Sequence, residues 1–195
     1  IVEEFFSFQA EGRNSGMAAY FIRLFGCNVE CGFCDEKKTW KEKDKVKKEK
    51  VKDIIEKIKE VKAKNLVITG GEPTLYNLIP LTNELKKNNI NSFLETSGVN
   101  TILGDFTFIT LSPKKKLLPK EENIKKANEL KVVIENEDDF LFAESFLDKI
   151  NKDCFLYLQP EWNKREKTTQ IVISYIKKHP CWRLSLQMNK YINEK

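Results

Sequence analysis

Short apolar runs alternate along this chain with stretches of helical period, and that alternation restricts the fold more than any other feature. Residues 18–24, 66–69, 92–95, 106–111, 130–134, 155–158 and 183–186 read as strands. Between them Val51, Ile54, Ile55, Ile58 and Val61 recur at i, i+3, i+4 and i+7, with Lys and Glu on the opposite face. Leu78, Leu81 and Leu85 repeat part of that pattern, and Pro80 suits the first turn of such a helix. Residues 140–146, and then Ile171, Val172, Tyr175 and Ile176, give two weaker examples, while 111–126 reads as irregular. Strand–helix alternation predicts parallel βαβ units, with apolar strands covered by helices on one side. Six or seven strands are too few for a complete eight-unit barrel of ordinary length. The expectation is an α/β fold, an incomplete (βα) barrel of about six strands with reduced helices, in one domain over 1–195. A chain of this length buries roughly 70% of its unfolded surface, so it needs no disulfide or metal staple to fold.

Charge narrows the partners. The net charge of +5 comes from 34 Lys and Arg against 29 acids, much of it in the Lys-rich stretches 37–52 and 114–116. A nucleic-acid surface would interleave basic residues with aromatics or mount them on a known motif. Here Lys alternates with Glu and Asp, which reads as a solvated helix face, so no direct nucleic-acid partner is expected. No apolar run approaches the ~20 residues that span a bilayer, and the acidic, aromatic opening residues are unlike a signal peptide.

The cysteines carry the chemistry. Of five, Cys27, Cys31 and Cys34 crowd into the loop after the first good strand, spaced C-x3-C-x2-C. That crowding is poor for disulfides and good for a metal site, in a reducing, cytoplasmic compartment. Three thiolates can hold three irons of a 4Fe–4S cluster and leave the fourth open. An open iron can chelate the amine and carboxylate of S-adenosylmethionine. The plainer alternative is structural zinc, which wants four ligands. His179 is the sole histidine, and Cys154 and Cys181 stand far downstream, where they read as packing residues.

Downstream, the strand at 66–69 runs into Gly70-Gly71-Glu72-Pro73. The two glycines let the backbone approach a ligand closely, and Glu72 sets a carboxylate where a ligand ammonium could meet it. Alone this would pass for an ordinary turn. Behind C-x3-C-x-aromatic-C, with Phe33 as the aromatic, it resembles the glycine-rich element of the radical S-adenosylmethionine superfamily.

More of the chain is similar to one family within it, that of 7-carboxy-7-deazaguanine synthase. The matching pieces are residues 4–12, 21–24, 95–98, 111–114, 129–133, 158–161 and 183–187. The resemblance implies a radical enzyme that contracts the ring of 6-carboxytetrahydropterin with loss of ammonia, in queuosine precursor biosynthesis. It implies that Cys27, Cys31 and Cys34 hold the cluster and that Glu72, with the glycine-rich element, binds the cofactor at its methionine amine. It implies a cofactor pocket of Phe33, Asp35, Gly70, Gly71, Ser97, Ser112, Pro113, Lys114, Gln159, Pro160, Glu161 and Trp162. Phe8, Gln9, Ala10, Glu11, Thr69 and Asn189 would contact the substrate, and Arg23 would grip its carboxylate, since a guanidinium binds carboxylates in bidentate fashion. A flavodoxin or ferredoxin would supply electrons, and a homodimer is implied.

The chain departs from the family at several points. Glu36 stands where a Thr helps bind Mg2+, and a carboxylate is also a hard-oxygen ligand. Asn189 replaces a His and cannot carry its proton. Ala10 stands where Gly is common, and Lys195 where a proline is typical. Rival readings are a radical enzyme acting on another small molecule or activating a protein partner, and a zinc-stabilised binding module.

Overall fold

A computed structural model describes residues 1–194; Lys195 lies outside the described residues. Among these, the strands are β1 (Glu3–Phe8), β2 (Ala18–Leu24), β3 (Asn65–Gly70), β4 (Asn91–Thr96), β5 (Phe108–Leu111), β6 (Glu129–Ile134), β7 (Phe155–Pro160) and β8 (Arg183–Leu184). The helices are α1 (Lys38–Lys41), α2 (Val51–Glu60), α3 (Ile79–Lys87), α4 (Glu121–Lys126), α5 (Asp138–Glu144), α6 (Arg165–Lys178) and α7 (Met188–Ile192). One eight-stranded sheet takes the strands in chain order. Only β1 runs antiparallel to its neighbour; β2 through β8 are parallel.

The periodicities account for this layout. In β2, β3 and β4 the residues Tyr20, Ile22, Leu66, Ile68 and Leu94 face outward. They pack under Ile54, Ile55 and Ile58 of α2 and Leu81 and Leu85 of α3. Leu130, Val132, Ile134 and Leu158 do the same on the other half, beneath Phe140, Val172 and Trp182. Helix α2 also carries Asp53 in its first turn and Lys57 and Lys59 in its last, matching the helix dipole.

Alternation along each strand sends the intervening residues to the concave side. Near the strands' N-terminal ends these are apolar: Ala19, Phe21 and Val67, with Phe5, Met17 and Phe93 against them. Further along they become polar, and that change makes the site.

Three sequence expectations change. The extra strand, β1, has no clean alternation, and its pairing with β2 decides it. The Lys-rich stretch forms only the single turn of α1 and a 3-10 turn over Lys43–Lys45 before α2 begins. The irregular 111–126 segment contains the short helix α4, whose Ile124 is buried.

The sheet does not close on itself; β1 and β8 are its two edges. The loop after β1 bridges the gap instead. Gly12 N donates to Ser185 Oγ at 3.0 Å and Met188 N donates to Ala10 O at 3.2 Å. Ala10 is buried there. Gly12 has φ +65, and a Cβ on it would lie 2.2 Å from the Glu129 carboxylate, so the bridge requires glycine.

Candidate active site

The strands' C-terminal ends open into a cavity of about 560 Å³, within the range of small-molecule sites. Every strand from β2 to β7 sends an inward polar residue to it: Arg23, Thr69, Glu95, Thr110, Lys131 and Gln159.

Cys27, Cys31 and Cys34 lie on its wall, each a free, half-buried thiol. Burial raises the Cys31 thiol, and Cys27 and Cys34 add to this, while Lys114 and Lys116 pull it down. Among the described residues no three Cys, His, Asp or Glu side chains converge as a single-ion site requires. A cluster instead spreads its thiolates over separate irons. Against this loop packs Gly71, where a Cβ would stand 2.0 Å from Gly26 O and 3.1 Å from Cys27 Cβ. Gly70, at φ +133, is pressed as tightly on the Leu24 backbone. Free thiols on one wall and a glycine cradle behind them fit an iron–sulfur cluster with a nucleotide-sized ligand.

Glu72 lines the cavity but is buried, and its carboxylate accepts five hydrogen bonds from its own chain. Oε1 takes Thr74 N at 3.0 Å, Thr74 Oγ1 at 2.6 Å and Thr96 Oγ1 at 2.5 Å. Oε2 takes Ser97 N at 2.8 Å and also Ser97 Oγ. A carboxylate has about four lone-pair sites, so this one is saturated. It clamps the glycine turn to the end of β4; an ammonium would have to displace a hydroxyl. Glu161 is likewise turned inward, accepting from Asn163 N and Lys164 N at 3.0 Å each.

On the opposite wall Gln9 Nε2 donates to Glu95 Oε1 at 2.9 Å, and Gln9 Oε1 accepts from Glu11 N at 3.1 Å. Glu11 also takes Gln187 Nε2 at 2.9 Å and pairs with Lys131. Burial would raise the Glu11 carboxyl, but Lys131 holds it below the ordinary range. Lys131 is raised despite burial, because Glu11, Glu95 and Glu129 surround it. Asp35 accepts from Lys190 Nζ at 2.5 Å and Gln187 Nε2 at 3.0 Å, tying the cysteine loop to α7.

Arg23, expected to meet a substrate carboxylate, already has partners. Its Nε lies 3.1 Å from Glu3 Oε2 and its Nη2 3.5 Å from Glu36 Oε1. Lys38 Nζ stands 3.3 Å from both Glu3 Oε2 and Glu36 Oε2. Glu36, expected as a magnesium ligand, therefore has a cation on each oxygen.

Phe8, Ala10, Phe33, Ser112, Pro160, Trp162 and Asn189 also reach the cavity, as does Lys114, whose Nζ donates to Ser112 O and Oγ at 2.7 Å each. Burial lowers the Lys114 ammonium, while the neighbouring Cys31 raises it. Pro113 is buried behind the wall and does not line it. Cys154 packs against the second core cluster, but Cys181 is exposed, so the packing reading fails for it.

Sequence reading passed over Glu95, Lys131, Gln187 and Trp40 as site residues. For Glu95 and Lys131 the signal was present: a charged residue alternating with apolar ones inside a strand. Trp40 gave none; it borders the cavity, and its buried indole N–H lacks a partner among the described residues.

A partial barrel with three thiols and a glycine cradle at its open edge defines the radical S-adenosylmethionine class. A family model described as the Radical SAM superfamily matches residues 21–106. The 7-carboxy-7-deazaguanine synthase of Flavobacterium psychrophilum is 42% identical over 99% of this chain and 91% of that protein. That of Escherichia coli is 33% identical over 99% of this chain and 97% of the relative. The crystal structure of QueE from Escherichia coli superimposes with a TM-score of 0.82 at 31% identity, covering 95% of this chain and 92% of that one. The chain belongs to the 7-carboxy-7-deazaguanine synthase family.

Proposed function

We propose that this chain makes 7-carboxy-7-deazaguanine from 6-carboxytetrahydropterin, a radical lyase step in queuosine precursor biosynthesis. The observation that supports it most directly is the three-thiol loop facing a wall of paired hydrogen-bonding groups across one cavity. When bound, a 4Fe–4S cluster with S-adenosylmethionine supplies one-electron, hydrogen-abstracting chemistry.

The chain's own residues do the rest. Cys27, Cys31 and Cys34 would hold the cluster, and Phe33 and the Gly70-Gly71 turn would border the cofactor. Glu72 keeps that turn in place and would take the cofactor's ammonium in exchange for one of its hydroxyl donors. Lys114, Ser112, Gln159, Pro160 and Trp162 close the pocket around the cofactor. A pterin ring presents adjacent donors and acceptors on one edge. Glu95, Glu11 and Gln9 offer matching groups, already oriented by Lys131 and Gln187. Prepaid orientation of this kind lowers the cost of binding. Arg23 takes the substrate carboxylate, and Thr69 and Asn189 border the same ligand. The Phe5–Phe21 stack, with centroids 5.0 Å apart, floors the site and excludes water.

Residues 1–195 would act as one catalytic domain, reduced by a flavodoxin or ferredoxin and paired as a homodimer in the cytoplasm. Among the described residues no helix is long and apolar enough to cross a membrane. Magnesium at Glu36 does not fit the residues present, because both of its oxygens already face cations.

The test is anaerobic turnover of the reconstituted protein with 6-carboxytetrahydropterin, S-adenosylmethionine and a reductant. Formation of 7-carboxy-7-deazaguanine is expected. Release of 5′-deoxyadenosine without that product would keep the radical chemistry and overturn the substrate, favouring another small molecule or a protein partner.

A further inference from the structure

We infer that this chain works without a divalent cation, because Arg23 and Lys38 each bridge Glu3 and Glu36 and so put a cation on both oxygens of Glu36, the expected metal ligand; the inference rests on the substrate proposed above. The four side chains form a ring that alternates in sign. Arg23 bridges Glu3 and Glu36 at 3.1 and 3.5 Å, and Lys38 bridges the same two carboxylates at 3.3 Å each. Arg23 and Glu36 line the cavity.

Magnesium demands a near-ideal octahedral shell of oxygens and binds through carboxylates that can turn a lone pair to it. Here Oε1 of Glu36 faces a guanidinium and Oε2 an ammonium. A dication reaching either oxygen would sit beside a like charge already at contact distance, which opposes its binding.

The ring also explains how Arg23 can be both partnered and available. Its Nε and Nη2 hold Glu3 and Glu36 while Nη1 has no partner among the described residues, so a substrate carboxylate meets Nη1 and Glu36 keeps a cation on each oxygen. Lys38 is thus a positioning residue: it holds Glu36 aside and fixes the charge around Arg23, touching neither cofactor nor reacting atoms.

Two measurements on the reconstituted holoenzyme test this. The first is turnover in EDTA against turnover in millimolar magnesium. The second is titration of Mn2+ by electron paramagnetic resonance with the pterin present, which reads metal binding without relying on turnover. Equal rates and a Mn2+ signal of undiminished amplitude are expected. A rate lost in EDTA, or a signal lost to bound Mn2+, overturns the proposal. In Lys38→Ala one oxygen of Glu36 is released, so Mn2+ binding should appear and KM for the pterin should rise more than kcat falls. Lys38→Arg, which restores the cation, should return both to the wild-type pattern. A Lys38→Ala protein that binds no Mn2+ and keeps its KM overturns the role of Lys38. If no arm yields product, the substrate assignment falls, and the Mn2+ titration still decides the metal question.

Discussion

The loop after β2 and the loop after β3 sit side by side, yet they are held in different ways. Between Gly26 and Cys34 the first is tied by Gly26 N to Thr39 O at 2.7 Å and Cys34 N to Cys31 O at 3.2 Å, and its thiols stay free. The second sends Gly71 N to Leu24 O at 3.0 Å and Glu72 N to Gly26 O at 2.7 Å, then saturates the Glu72 carboxylate. In the proposed reading the first is the donor set for a cluster and the second the frame that sets where a cofactor can lie. Preorganised frames hold ligands well because their own groups are fixed by neighbours, not by the ligand.

Substitutions can break that contrast, beginning with the largest effect. Cys31→Ala should abolish cluster binding and product formation, while its melt stays within about 1 kcal/mol of the cluster-free wild type, since only one half-buried thiol is lost. Iron content, turnover and a thermal melt check all three, and an active variant would refute the cluster assignment. Gly71→Ala tests the frame instead. A methyl 2.0 Å from Gly26 O forces the two loops apart. It should cost more than about 3 kcal/mol of stability and lower cluster loading as well; a variant melting like wild type would show the cradle is not tight. Ser97→Ala removes one donor from Glu72 and leaves the others, so a loss of about 1.5 kcal/mol is expected by denaturant titration. If S-adenosylmethionine binding tightens at the same time, Ser97 is the hydroxyl that the ligand ammonium displaces.

The smallest effect lies far from both loops and serves as a control. Burial would raise the Glu4 carboxyl from its ordinary 4.5, but hydrogen bonds from Lys57 and Tyr20 leave it lowered. A carboxyl lowered in the folded state stabilises above its ordinary value, and that stabilisation fades as pH falls through the lowered value. Lys57 also pairs with Glu49, so Lys57→Met should cost about 1 kcal/mol at neutral pH, the size of two partly exposed ion pairs. The difference should vanish below the Glu4 range. Melts of both proteins across acid pH check the sign, and a difference that persists in acid would point to lost packing of the Lys57 stem.

The amino-acid order by itself determined whatever depends on near neighbours. The 3.6-residue period of Val51 to Val61 became α2, and short apolar runs placed β2, β3, β4, β6 and β7. The three thiols were legible because their whole donor set lies within one loop, and the glycine turn because it abuts a strand. Tertiary structure decided the rest. Glu11, Glu95, Lys131 and Gln187 are far apart in the chain and meet only because the parallel sheet curls and the loop after β1 spans its open edges. That Glu36 would lose both oxygens to Arg23 and Lys38 depended on which charges the fold set around it. Periodicity is a property of consecutive residues, but the partner of a buried charge is chosen by strands that neighbour only in space.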